Sequence, residues 1–179
     1  ARPAVVPLLA KAVELDPGLG EAYALRSQLT NDPAQAEREL RKGLELNPSY
    51  ARGYELLARL QASSLNKLEL ALHTIDRAIA LDPLTPGNYD AKAGMLAWKG
   101  DWAGAEALYR RALELNPSFR SAAAGLGNAS AVQGNFAEAI QYTERAVALD
   151  PRAEHLRNNL VLLYHLLDDG GSARSVSEP

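Results

Sequence analysis

One phrase constrains this chain more than any other feature. An apolar run closed by Asp-Pro or Asn-Pro occurs five times: "ELDPGLGEAY" from Glu14, "ELNPSYARGY" from Glu45, "ALDPLTPGNY" from Ala80, "ELNPSFRSAA" from Glu114 and "ALDPRAEHLR" from Ala148. The prolines are Pro17, Pro48, Pro83, Pro117 and Pro151, separated by 31, 35, 34 and 34 residues. Self-similarity at such a period marks stacked supersecondary units, each too small to bury its apolar face alone. Proline removes a backbone donor and drives its predecessor out of helical conformation. Each phrase therefore ends a helix and turns a corner.

The clearest unit, 86–119, reads as a helix "NYDAKAGMLAW", a corner "KGD" and a second helix "WAGAEALYRRALEL". Gly100 suits the left-handed residue after a helix end, and Asp101 suits the cap of the next helix. The following unit, 120–153, places Gly134 and Asn135 in the same corner. Earlier units change only their corners. "ASSLN" (62–66) absorbs a one-residue excess and "NDP" (31–33) a three-residue deficit, with Asp32 as cap and Pro33 at the first helical position. Small residues recur seven apart on the second helices: Ala36/Gly43, Ala71/Ala78, Ala105/Ala112 and Ala139/Ala146. Ser27, Ala58, Ala93 and Gly127 hold one matching position on the first helices. With no bulk there, the two helices of a hairpin can approach closely. Leu9, Leu40, Ile75, Tyr109 and, more weakly, Thr143 fill the space between the small pairs.

Composition bounds the function. Alanine and aliphatics dominate, and the alternation expected of strands is missing. A net charge of −3 supplies no electrostatic basis for binding nucleic acid or an anionic membrane. The absence of cysteine excludes disulfides, thiol catalysis and cysteine-ligated metals. No run reaches the roughly 18 apolar residues of a membrane-spanning helix, so no membrane insertion is expected. His155 and His165 lie ten apart on one predicted helix, too far to share a metal, and His73 with Asp76 reads as solvated surface. Neither Gly-Leu-Gly stretch (18–20, 125–127) has the context of a dinucleotide loop. No catalytic residue, metal or cofactor is expected. The chain opens inside a repeat, as a fragment of something longer would, which leaves the compartment open between cytoplasm and periplasm.

These units resemble tetratricopeptide repeats. The family pattern is carried by Tyr89, Ala93, Leu96, Gly100-Asp101-Trp102, Ala105, Tyr109, Ala112 and Pro117. It is carried again by Leu126-Gly127, Gly134-Asn135-Phe136, Ala139, Ala146 and Pro151, and the likeness spans Val5 to Leu167. Lys92 and Arg26 depart from the pattern's first-helix Leu, and Gln61 and Ser130 from its later Tyr. The resemblance implies an all-α fold, a right-handed α-solenoid of tandem helical hairpins. It divides the chain into a half repeat (1–17), repeats 18–50, 51–85, 86–119 and 120–153, a closing helix (154–167) and a flexible tail (168–179).

The resemblance also implies a protein-interaction scaffold that holds a peptide or helix of a partner in a concave groove lined by the first helices. Matching the groove-facing positions yields Arg52, Glu55, Arg59, Asp90, Trp98, Asn128, His155 and Asn158, with Val132 and Leu162 alongside. Relatives that clamp a C-terminal carboxylate use Lys and Asn where this chain has Ala24 and Gln28, Glu55 and Arg59, Asp90 and Gly94. That clamp is missing, and Glu55 and Asp90 are expected to repel a carboxylate. Two alternatives stand beside the groove. The closing segment "EHLRNNLVLLYHLLDD" is apolar on more than one face, so Leu162 and Leu166 are expected to support a homodimer. The phrasing is also similar to repeat arrays of bacterial transcription regulators and nucleotide cyclases, implying a sensor or accessory domain.

Overall fold

The computed structural model describes residues 2–175, with side chains for 8, 9 and 11–168. Among the described residues every regular element is helical: α1 (Arg2–Leu15), α2 (Gly20–Ser27), α3 (Pro33–Leu46), α4 (Ala51–Ser63), α5 (Leu68–Leu81), α6 (Pro86–Lys99), α7 (Trp102–Leu115), α8 (Arg120–Val132), α9 (Phe136–Leu149) and α10 (Glu154–Ser175). The fold class is the expected all-α array of hairpins.

The repeated phrase has a hydrogen-bonded explanation that proline alone does not supply. In all five copies the Asp or Asn side chain accepts the backbone N–H two residues on: Asp16 from Gly18 (2.9 Å), Asn47 from Ser49 (3.2 Å), Asp82 from Leu84 (3.2 Å), Asn116 from Ser118 (3.0 Å) and Asp150 from Arg152 (3.2 Å). This is the side-chain turn that short Asx residues form. The backbone N–H of each of these five still bonds four residues back into the preceding helix. Proline ends the helix, and the Asx turn aims the next one. Tyr23 and Tyr89 then donate their hydroxyls to the carbonyls of Pro17 (3.5 Å) and Pro83 (2.9 Å), and Arg157 donates a guanidinium N–H to that of Pro151, tying the next helix to the corner.

The corners inside the hairpins follow the sequence with two refinements. Gly100 (φ 89°) and Gly134 (φ 80°) are left-handed, and Asp101 and Asp32 cap the following helices by accepting from Gly104 and Ala34, both at 2.9 Å. Asn135 makes no side-chain cap. In the longer corner, Asn66 takes the left-handed conformation (φ 51°) that glycine supplies elsewhere, which a short polar side chain tolerates.

The chain divides into two compact units, 1–91 and 92–179, with the boundary inside α6. In the first unit α2 packs on α3, α3 on α4 and α4 on α5, around Ala24, Leu40, Leu44 and Leu57. Close approach is enforced at the start of α2. A Cβ on Gly43 would lie 2.5 Å from the carbonyl oxygen of Gly20, so this hairpin requires glycine where the others carry alanine. In the second unit α7 packs on α8, α8 on α9 and α9 on α10, with Ala139, Ile140 and Leu163 at one centre. Here residue sizes are matched. The large filler Tyr109 lies against Gly125, and the small filler Thr143 lies against Gly127. The small residues seven apart are all buried, Ala71, Ala78, Ala105, Ala112, Ala139 and Ala146 completely so.

The described α10 runs past the expected stop at Leu167 to Ser175. The stretch after Leu167 holds a glycine pair but no proline before Ser175, and glycine weakens a helix without the steric block that proline imposes. Residues 176–179 of the expected tail lie outside the described residues.

Candidate partner-binding surface

In the first unit the groove-register side chains form one charged cluster. Glu55, in the middle of α4, is 2% exposed. Arg52 and Arg59, at i−3 and i+4, both donate to its carboxylate, one to each oxygen. Arg59 also lies 3.8 Å from Asp90, which is buried as well. The helical spacing puts all three α4 residues on one face. A buried carboxylate is tolerated because its lone pairs are satisfied and its charge is offset. This corrects the expectation that Glu55 and Asp90 repel a carboxylate as exposed acids. Both are covered, and what the surface offers outward is two half-exposed guanidinium groups. Nearby, Asn47 donates to Glu21 (2.6 Å), and burial, followed by the Glu21 charge, pushes the Tyr50 hydroxyl above its ordinary pKa.

In the second unit the same helix face carries an apolar row one turn further along. Trp98 on α6, Val132 on α8 and Leu166 on α10 are spaced 34 residues apart and are 66, 58 and 39% exposed. One turn earlier on each helix come Gly94, Asn128 and Leu162, and Leu162 is 58% exposed. His155 and Asn158 are exposed on α10. Sequence reasoning placed Trp98, Val132, Asn128 and Leu162 in this set but assigned Leu166 to self-association only. The 34-residue step from Val132 was the signal that joins it to the row.

Polar pairs inside the hairpins were missed. Thr74 donates to the buried Gln61 (2.7 Å), and the fully buried Ser130 donates to Glu138 (3.1 Å). The two departures from the family Tyr are thus positions where a polar side chain of the second helix supplies a partner. Glu138 also receives Arg110, which bonds Glu106 (2.9 Å) and stacks over Tyr142 at 5.8 Å. Arg110, helped by Gln133, holds the Glu106 carboxyl below its ordinary pKa, and Glu138 and Glu106 push the Arg110 guanidinium pKa up. On α3, Lys67 and then Arg41 lower Glu37 in the same way.

Among the described residues no group of three His, Cys, Asp or Glu is placed to hold a metal, and no helix is long and apolar enough to cross a membrane. Stacked helical hairpins presenting one continuous side-chain register per unit define a protein-interaction scaffold. The family model described as tetratricopeptide repeat matches residues 19–87 and 96–154, and the chain belongs to that family. A crystal structure of PilW, a type IV pilus biogenesis factor, superimposes with a TM-score of 0.76 at 19% identity, over 99% of this chain and 88% of that one. A crystal structure of MamA does so at 0.68 and 21%, covering 82% and 87%. The first repeat domain of Spaghetti (RPAP3), bound to the HSP90 peptide SRMEEVD, gives 0.64 and 22%, covering 66% and 93%. These likenesses show the fold. A human protein O-mannosyl-transferase, TMTC1, is 31% identical over 117 residues, 63% of this chain. The chain spans only 13% of that transferase's length.

Proposed function

We propose that the scaffold binds a peptide segment or helix of a partner protein along the first helices, with an apolar row of the partner seated on the second unit. The supporting observation is the row Trp98, Val132 and Leu166, exposed at one register of three successive first helices, with Leu162 beside it. Exposed large apolar side chains in one row are unfavourable in water and mark an interaction surface. Trp and Arg are the residues that most often anchor such interfaces. Asn128, Asn158 and His155 supply hydrogen bonds at the rim. On the first unit, Arg52 and Arg59, held by Glu55 and Asp90, offer remaining N–H donors to carbonyl groups of the partner.

The acidic peptide SRMEEVD, seen with the Spaghetti domain, is not the ligand proposed for this chain. Its chemistry calls for free cations, whereas Ala24/Gln28, Glu55/Arg59 and Asp90/Gly94 supply only arginines already engaged by buried acids. The test is photocrosslinking. A photoreactive residue at Val132 should yield one continuous partner segment, while the same residue at exposed Gln141 on the second helix α9 yields none. Crosslinks from Gln141 alone would move the site to the outer face.

The exposure of Leu162 and Leu166 favours a second reading, homodimerisation through α10. Leu162→Glu with Leu166→Glu should then abolish a concentration-dependent dimer in sedimentation. A wild-type monomer at high concentration would remove that reading.

A further inference from the structure

In α4 and α8 a leucine stands just before the small residue of the first helix, and both, Leu57 and Leu126, are buried. On α2 that position holds Arg26. Two further departures coincide with it. α2 stops at Ser27, whereas α4 and α8 run five residues past the matching Ala58 and Gly127, to Ser63 and Val132. The chain leaves α2 through tight bonds from Gln28 N–H to the Leu25 carbonyl (3.2 Å) and from Leu29 N–H to the Arg26 carbonyl (3.0 Å). Thr30, the counterpart of the buried Gln61 and Ser130, is then only half-buried. At this place lies a hollow of about 590 Å³ walled by α1, α2 and α3, within the size range of small-molecule sites. Val13 of α1 and Leu29, both half-buried, form its apolar wall. Its polar wall holds Arg26 and Glu39, 2.7 Å apart, with Glu14 and Gln35 beside them. The groove positions of α2, Ala24 and Gln28, take no part in it.

We infer that this hollow binds a free α-amino acid with an apolar side chain. Charge selects the class. Lys11, one turn before Glu14 and 3.4 Å from it, brings the surroundings to two positive and two negative groups. A ligand with a single charge meets a like charge there, and a zwitterion offers each group its opposite. Arg26 lies over the Tyr23 ring at 5.4 Å, which holds the guanidinium plane in place. Among the described residues it donates hydrogen bonds to Glu39 alone, through Nη2, so its other N–H groups are open to a carboxylate. It differs in this from Arg59, which serves two buried acids. Glu39 accepts at Oε1 and keeps Oε2 for an ammonium group. Thr30 engages the Gln35 carbonyl oxygen at 2.9 Å, leaving the amide nitrogen as a further donor. Because Arg26 and Glu39 touch, their open edges lie side by side. An ammonium and a carboxylate on one carbon match that spacing, whereas a peptide carries the two groups at opposite ends. Val13 and Leu29 then receive the side chain.

The test is calorimetric titration of the 179-residue chain with L-leucine, leucinamide and N-acetylleucine. The two analogues keep one charge each and stand for the N-terminus and the C-terminus of a peptide. Leucine should saturate the chain and bind at least about tenfold more tightly than either analogue. Arg26→Leu restores the residue that α4 and α8 carry, so helical circular dichroism should persist while leucine binding disappears. Glu39→Gln keeps the side-chain size and should bring leucine down to the level of N-acetylleucine. Three results would overturn the inference: no saturation by leucine at millimolar concentration, equal binding of leucinamide or N-acetylleucine, or leucine binding that survives either substitution in a folded chain. Equal binding by one analogue would assign the hollow to that end of a peptide, and survival in both variants would place the amino acid elsewhere.

Discussion

Two glycines at the middle of first helices should respond in opposite directions to the same change. Replacing glycine by alanine in a helix interior gains about 0.5–1 kcal/mol, because alanine loses less backbone entropy on folding. At Gly94 on α6 the new Cβ would have Tyr109 Oη 3.8 Å away, an ordinary contact, so the full gain is kept. At Gly127 on α8 it would lie 2.6 Å from Thr143 Oγ1, 3.2 Å from the Ala139 carbonyl oxygen and 3.3 Å from the Thr143 nitrogen. Two of these are backbone atoms of α9, so the helices themselves must separate. Overpacking of this kind costs about 1–3 kcal/mol, which outweighs the propensity gain and leaves a net loss centred near 1 kcal/mol. For a chain of this size each kcal/mol moves the thermal midpoint by roughly 2–4 °C. Melts followed by helical circular dichroism should therefore rise for Gly94→Ala and fall for Gly127→Ala. In a Thr143→Ala background the Gly127→Ala penalty should shrink by about half or more, as expected of side chains in direct contact. Equal upward shifts at both sites would refute the close approach of α8 and α9.

Ala112, fully buried on α7, should lose about 1–3 kcal/mol on replacement by leucine, read as a lower urea midpoint; an unchanged midpoint would count against the hairpin register. Arg59→Ala should destabilise the chain by about 1–3 kcal/mol by uncovering buried Glu55, and adding Glu55→Gln should recover part of the loss. Because Glu106 and Glu37 sit below the ordinary value of 4.5 when folded, the stability they contribute is present above that pH and lost as pH falls through their lowered values. Arg110→Met should accordingly destabilise at neutral pH and converge on the parent chain in acid, and parallel pH profiles would contradict the pairing.

The helix ends were legible because they depend on neighbours in sequence: Asp-Pro and Asn-Pro stop a helix wherever they occur, and Gly100 and Gly134 are left-handed as the corners require. The small residues seven apart were legible for the same reason, since spacing on a helix determines the face. Asn66 was read as loop length only, because its left-handed conformation replaces a glycine that the corner lacks. The burial of Glu55 was not legible. An acid in groove register reads as exposed, and what covers it are two flexible arginines, one held across to Asp90 of the next repeat. Gln61 and Ser130 looked like defects in the pattern because their partners, Thr74 and Glu138, lie on a different helix. The reach of α10 depended on how much helix a glycine pair tolerates, which spacing does not decide.

The seating of a partner segment on the apolar row of the second unit has one direct measurement. It is a titration of the segment identified by Val132 crosslinking against the parent chain and against Trp98→Ala with Val132→Ser. Both side chains are exposed, so helical content and thermal midpoint should stay unchanged while affinity falls at least about tenfold. Affinity unchanged in a folded double variant would contradict the account and move the binding surface away from the first helices.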